Sequence, residues 1–213
     1  LNDGGVAGNL ALKANYNSTI DVSGDTTAAA TDLKLILDNT GGTVTTSGLT
    51  DISGEYSAVN AVQLEASFSH VGGDYTVTIA DEDADLTVAE INTIAGRTLG
   101  AVTATATSTN IDDYNGSNAT LTTLGADLIT IVITGTTVAA ADLVALDAKT
   151  GVAIDARGVA DFTGTASDIA AIVTSTGVTL DADFTATVSN ETGLAYVDAA
   201  DIVTIDAVTG GTI

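Results

Sequence analysis

Two hydrophobic periods alternate along the chain. In "DLVALDAKTG", residues 142–151, Leu143 and Leu146 stand three apart, the spacing that places two side chains on one helical face. An acid precedes the pair, where it accepts first-turn N–H bonds and meets the positive end of the helix dipole. A glycine closes the segment, in the C′ position that favours a left-handed backbone. The pattern predicts a helix of about two to three turns, too short to stand alone and therefore packed on something else. Behind the glycine the period falls to two. In "VTLDADFTATV", 178–188, Val178, Leu180, Ala182, Phe184, Ala186 and Val188 share one face, and Thr179, Asp181, Asp183, Thr185 and Thr187 share the other. Residues 101–107 and 75–80 alternate in the same way, and 128–135 is the most apolar run. Such alternation predicts half-buried strands with a polar outer face.

The helical pattern recurs. Asp, Leu or Ile, two free positions, Leu or Ile, three free positions and Thr-Gly is met at Asp32, Asp142, Asp168 and Asp201. Weaker forms begin at Gln63, Glu90 and Thr120, so the starts are spaced by 31, 27, 30, 22, 26 and 33 residues. A period near 28 marks an array of supersecondary units. Strands joined through helices lie parallel with right-handed crossovers. The expected architecture is a repetitive α/β or mainly-β solenoid, elongated, of about seven units with one strand and one short helix each. Residues 28–213 would form this solenoid. Residues 1–27 hold no copy and are expected to be a cap or a pairing arm.

Composition narrows the picture. Apolar residues make up 45% of 213, enough for a core, but there is no Pro, Cys, Met or Trp and aromatics are 4%. Small and β-branched side chains suit thin, regular layers. Five basic and 28 acidic residues give a net charge of −23. A surface of that sign repels nucleic acid and anionic lipid and attracts hard cations, Ca²⁺ above all. No apolar run approaches a membrane span. The chain opens on Leu1 without a basic segment and apolar run behind it, so no signal peptide is expected within it, and it reads as a processed product or an excised piece. Zero cysteine fits cytosol and cell surface alike. Sequons at Asn17, Asn115, Asn118 and Asn190 are read as chance matches in a Thr-, Ser- and Asn-rich chain.

Two acidic clusters are candidate Ca²⁺ sites. Asp81, Asp83 and Asp85 follow the alternate spacing that lets carboxylates converge on one ion. The loop is no EF-hand, because Leu86 replaces the turn glycine and Asn92 the bidentate acid. Asp112, Asp113 and Asn115 lie in a Gly-bearing segment, 110–118. The plain alternative for both is a solvated turn. Asp181 and Asp183 share a strand face, where solubilising it is the simpler role. Catalysis finds little: His70 is the single histidine, no cysteine serves as nucleophile, and "GGTVTTSG" at 41–48 lacks the lysine of a phosphate loop. Paired carboxylates acting on glycans need aromatic platforms that three Phe and five Tyr hardly supply. No enzyme is expected.

Units such as "VAAADLVALDAKTGVAIDA" and "TASDIAAIVTSTGVTLDA" resemble the β-strand-repeat proteins of marine cyanobacteria and other Gram-negative bacteria. The resemblance covers about residues 28–213 and is strongest in 138–213. It implies a long secreted or cell-surface protein, often Ca²⁺-dependent, acting in a surface layer, adhesion or motility, and it supplies no catalytic residues. The expected function is therefore an extracellular structural or adhesive repeat protein of a surface layer, filament or large adhesin. Its partners would be copies of itself or flanking repeats, with surface polysaccharide a further candidate. The competing expectation is a binding module: a phage fibre, or a carbohydrate- or ice-binding solenoid. Outward rows that mix Asp with Thr weigh against ice.

Overall fold

A computed structural model describes residues 18–21, 26–80, 86–115, 127–190 and 196–213. These residues divide between two compact units, Leu1–Ala84 with Glu90–Ala104 and Asp85–Ala89 with Thr105–Ile213. The elements of the first are β1 (Ser18–Asp21), β2 (Thr27–Ala29), α1 (Ala30–Asp38), β3 (Val44–Ser47), β4 (Asp51–Gly54), α2 (Tyr56–Leu64), β5 (Phe68–His70), β6 (Thr76–Ile79) and most of α3 (Val88–Ala95). Strand β7 (Val102–Ser108) is divided between the units. The second holds α4 (Asp112–Asn115), β8 (Leu128–Ile133), β9 (Thr137–Ala139), α5 (Ala140–Asp147), β10 (Ile154–Asp155), β11 (Asp161–Thr165), α6 (Ala166–Thr174), β12 (Val178–Thr179), β13 (Thr185–Ser189) and α7 (Ala199–Asp206).

The expected solenoid is corrected by this topology. The chain is an α/β fold whose strands follow the order β12-β10-β8-β7-β6-β4-β2 in a seven-stranded sheet, beside two three-stranded sheets, β1-β3-β5 and β13-β11-β9. Every defined register is parallel. The single-strand unit failed because each segment of pattern holds two strands. The second one, β2, β4, β9 or β11, spans three to five residues and runs straight into its helix. A strand so short cannot display period two in the sequence, and it pairs in a different sheet from the strand behind the helix.

The units repeat one another more closely than the short template does. Thr27 and Thr137, Asp51 and Asp161, Gly54 and Gly164, Tyr75 and Phe184, and Thr98 and Thr209 are counterparts 109 to 111 residues apart. In each unit a parallel trio of the same register, Thr27–Asp51–Thr76 and Thr137–Asp161–Thr185, lies at the N-terminal ends of its strands. Gly54 and Gly164 have φ of 145° and 146°, a region closed to most side chains, and each turns the strand into a helix beside an alanine, Ala30 or Ala140.

Helix cores follow the spacing of three. Leu33, Leu143 and Ile169 are buried, with Leu146 and Ile172 one turn on. The leading acids Asp32, Asp142, Asp168 and Asp201 lie in the first turn. Side-chain caps come from elsewhere: Thr165 Oγ1 accepts the Asp168 N–H at 3.1 Å, and Asp198 accepts the Ala200 N–H at 2.8 Å. The closing glycines 151, 177 and 210 are not left-handed, for positive φ occurs at Gly48, Gly54, Gly72, Gly73 and Gly164. The hydroxyl ahead of them makes the turn instead, as where Thr150 Oγ1 accepts the Val152 N–H at 3.1 Å. No helix among the described residues is long and apolar enough to cross a membrane.

Candidate functional site

Polar side chains on the strands are drawn into internal brackets. Asp51 Oδ1 on β4 accepts hydroxyls from Thr76 at 2.8 Å and Thr78 at 3.2 Å on β6. In the second unit Asp161 Oδ1 on β11 accepts hydroxyls from Thr185 at 2.8 Å and Thr187 at 3.1 Å on β13. Parallel register creates both: Thr76 stands opposite Asp51 and Thr185 opposite Asp161, and the threonine two places on shares the same strand face within reach of the carboxylate. A carboxylate holding two hydroxyl donors is fixed in place, a charge-assisted arrangement stronger than neutral pairs. These Asp–Thr rows tie adjacent strands together and present a polar sheet face.

The second unit also bears an open hollow of about 390 Å³ lined by Arg157, Gly158, Asp181, Asp183, Phe184 and Thr185. Arg157 at its rim forms a fork on Asp155, Nε to Oδ1 at 2.9 Å and Nη2 to Oδ2 at 2.6 Å, and its own N–H donates to Oδ1 at 3.1 Å. That hydrogen-bonded guanidinium holds the Asp155 carboxyl below the usual carboxylate range. The same contact raises Arg157. Asp183 is positioned by its N–H, which donates to Asp181 Oδ1 at 3.1 Å. The hollow therefore sets Arg157, already forked on Asp155, beside the exposed carboxylates of Asp181 and Asp183, with Phe184 buried beneath them.

In the first unit Thr46 Oγ1 lies 2.8 Å from His70 Nδ1, and His70 Nε2 lies 3.7 Å from Asp74 Oδ1. Hydroxyl, imidazole and carboxylate in line are the ingredients of a nucleophilic triad. Thr46 is fully buried at 0% exposure, however, so its hydroxyl has no path to a substrate. The ring also packs edge-on to Tyr75 at 5.2 Å. This group belongs to the core of its unit.

Of the Ca²⁺ candidates read from the sequence, Asp81, Asp83 and Asp85 lie outside the described residues. Asp112, Asp113 and Asn115 fall on the one-turn helix α4 rather than in an open loop. Asp113 accepts the Ser108 hydroxyl, and the Asp112 N–H donates to Asn110 Oδ1 at 3.1 Å, so the segment is folded by its own side chains. Among the described residues no three acidic, histidine or cysteine side chains gather as a metal set. Asp51, Asp161 and Thr46 escaped sequence reading, because strand register alone pairs residues 24 or 25 positions apart, whereas Arg157 pairs locally with Asp155 two places away.

Comparison with known proteins yields no match: no family model, no curated protein and no solved structure is similar to the chain.

Proposed function

We propose that the chain is an extracellular structural or adhesive protein, stabilised by calcium, a part of a surface layer, filament or large adhesin whose partners are copies of itself or flanking repeats of the same protein. The observation that carries this reading is the Asp–Thr bracket built twice, about 110 residues apart. Polar groups held in repeated register serve to join strand to strand, which is what a load-bearing sheet requires. Net charge of −23 supports the calcium part of the reading. So does the spacing of Asp81, Asp83 and Asp85. The test is sizing and electron microscopy of the chain, first in Ca²⁺ and then in EDTA. Ordered assembly that needs calcium is the expected result; a monomer indifferent to chelation overturns the reading.

The hollow at Arg157, Asp181 and Asp183 favours a second reading, a carbohydrate-binding module. Titration of the chain with cell-surface polysaccharide fragments, followed by the amide resonances of Gly158 and Asp183, tests it. Shifts confined to those residues would favour the binding module over the purely structural role.

A further inference from the structure

The chain has one histidine and no cysteine, so His70 is its one side chain of a type that ordinarily changes charge between pH 5 and 8. The fold buries it. The imidazole, on β5, is 5% exposed. Its Nδ1 lies 2.8 Å from Thr46 Oγ1 on β3, and the ring stands edge-on to Tyr75 at 5.2 Å. Nε2 lies 3.7 Å from Asp74 Oδ1, and that carboxylate is 76% exposed. The gap is too wide for a hydrogen bond, and a shift of about 1 Å by Asp74 would close it.

The fold does not require this group. Val44 pairs with Phe68 as Ile154 pairs with Val178, so the counterparts of Thr46 and His70, 110 residues on, are Ala156 and Leu180. The second unit fills the same place with two apolar side chains. Asp74 keeps an acidic counterpart in Asp183, directly before the aromatic plug of each unit, but the turns that lead there differ. In the second unit the Asp183 N–H donates to Asp181 Oδ1 at 3.1 Å, which pins the turn. The turn of the first unit is one residue longer and passes through Gly72 and Gly73, with φ of 108° and 66°. Glycine alone takes both angles freely, and a Cβ on Gly72 would stand 2.7 Å from Asp74 Oδ1. A buried titratable ring and an acid on a glycine hinge thus occur together, at one place, in one unit.

We propose that His70 and Asp74 form a pH-operated clasp on the turn Val71–Asp74. On taking up a proton the imidazole becomes a donor at both nitrogens. Nδ1–H donates to Thr46 Oγ1, a hydroxyl that serves either protonation state because it both donates and accepts. Nε2–H donates to Asp74 Oδ1, and the glycine turn brings the carboxylate in to meet it. The clasp holds from the imidazole range down to the carboxylate range, where Asp74 is itself protonated. It opens as pH rises and the ring loses its charge. The other charged and titratable groups around this sheet have partners of their own. Strand β3 has none, and Tyr56 of α2 faces Glu90 and Arg97. Glu65, just past α2, is paired with Lys34 at 3.0 Å, Arg97 donates to Asn60, and the Tyr75 hydroxyl donates to the Arg97 carbonyl. The clasp steadies a turn that carries Val71, 66% exposed, and whose Gly73 carbonyl accepts the Leu99 N–H at 2.8 Å.

Amide hydrogen exchange read by NMR tests it, in EDTA so that calcium-dependent assembly does not enter. Protection of Gly72, Gly73 and Asp74, corrected for intrinsic rates, is expected to be about two- to fivefold higher at about pH 5 than at about pH 8. About 1 M NaCl shrinks the difference, because one partner is exposed. Asp74→Asn abolishes it while the imidazole resonances of His70 still move with pH, which separates loss of the clasp from loss of titration. The double substitution Thr46→Ala with His70→Leu, which installs the side chains of the second unit, abolishes it with an unchanged circular dichroism spectrum. The amides of Ala182 and Asp183, where no imidazole stands, keep one level of protection throughout. Equal protection of Gly72 and Gly73 at both pH values in the unmodified chain, or a difference that survives Asp74→Asn, overturns the proposal.

Discussion

The two units solve one packing problem with different chemistry. In each, a buried threonine behind a helix donates its hydroxyl to the carbonyl of an aromatic residue and accepts the N–H of a glycine two places on. Thr98, Tyr75 and Gly100 form this latch in the first unit, and Thr209, Phe184 and Gly211 in the second. Both glycine N–H groups donate to the threonine Oγ1 at 3.0 Å. The aromatic plug itself differs. Phe184 meets Phe162 edge to face at 5.2 Å in an apolar setting. Tyr75 meets Phe68 and His70 edge-on, and its hydroxyl accepts from Gln63 at 3.0 Å and donates to the Arg97 carbonyl at 3.3 Å. The backbone latch is the common requirement of the fold, and the plug is where the units are free to differ.

The comparison breaks most visibly at the core. Ile52 and Phe162 are counterparts on β4 and β11, both fully buried. Truncation of Phe162 to alanine is expected to cost about 3–5 kcal/mol and that of Ile52 about 2–5, with Phe162 the larger because it also loses its ring partner. Urea unfolding followed by circular dichroism measures both, and a cost below about 1 kcal/mol at either site would show that this strand position is not a core position common to the two units. The latch glycines come next. A Cβ at Gly100 would stand 2.6 Å from the Tyr75 carbonyl carbon, and one at Gly211 would stand 2.8 Å from that of Phe184. Gly100→Ala and Gly211→Ala are each expected to destabilise by about 1–3 kcal/mol through backbone overpacking. Gly151→Ala, where an added Cβ meets nothing within 4 Å, stays within about 0.5 kcal/mol of the parent. Unequal costs at the two latch glycines would mean that the latches are alike in form only.

Much of the helix layer was legible and little of the polar layer was. Leu33, Leu143 and Ile169 declare their burial by spacing alone, since a helix of three turns has one face to hide. Helix α2 escaped because "YSAVNAVQL" lacks both the leading acid and the Thr-Gly ending, though Val59 and Val62 keep the spacing of three. The run 178–188 reads as one long strand, but the chain pairs only at Val178–Thr179 and Thr185–Ser189. Between them Asp181 accepts the N–H of Asp183 and bends the chain, a local turn that leaves the alternation of side chains untouched. Phe184 is buried under either reading, so period two reports the face and not the hydrogen bonding. The brackets on Asp51 and Asp161 depend on which residue stands opposite, and period within a strand holds no information about register between strands.

The smallest effect separates the plugs by pH. Burial pushes the Tyr75 hydroxyl above its ordinary value of 10.0, with the Gln63 hydrogen bond pulling weakly the other way. A raised acid in the folded state means that the neutral phenol is favoured there. The corresponding stability is complete below the unfolded value and is lost as pH climbs from about 10 through the folded value. Phe184 carries no proton to lose, so the second unit has no such term at its plug. Tyr75→Phe should therefore cost about 0.5–1.5 kcal/mol at neutral pH, the worth of the lost hydrogen bonds, yet flatten the decline of stability above pH 10. Tyr56, half-buried and also raised by burial, leaves a residual slope. Urea midpoints of the parent and of Tyr75→Phe, compared from neutral pH into the alkaline range, decide the matter. Curves that run parallel throughout would show that Tyr75 ionises without strain and that the two plugs respond to pH alike.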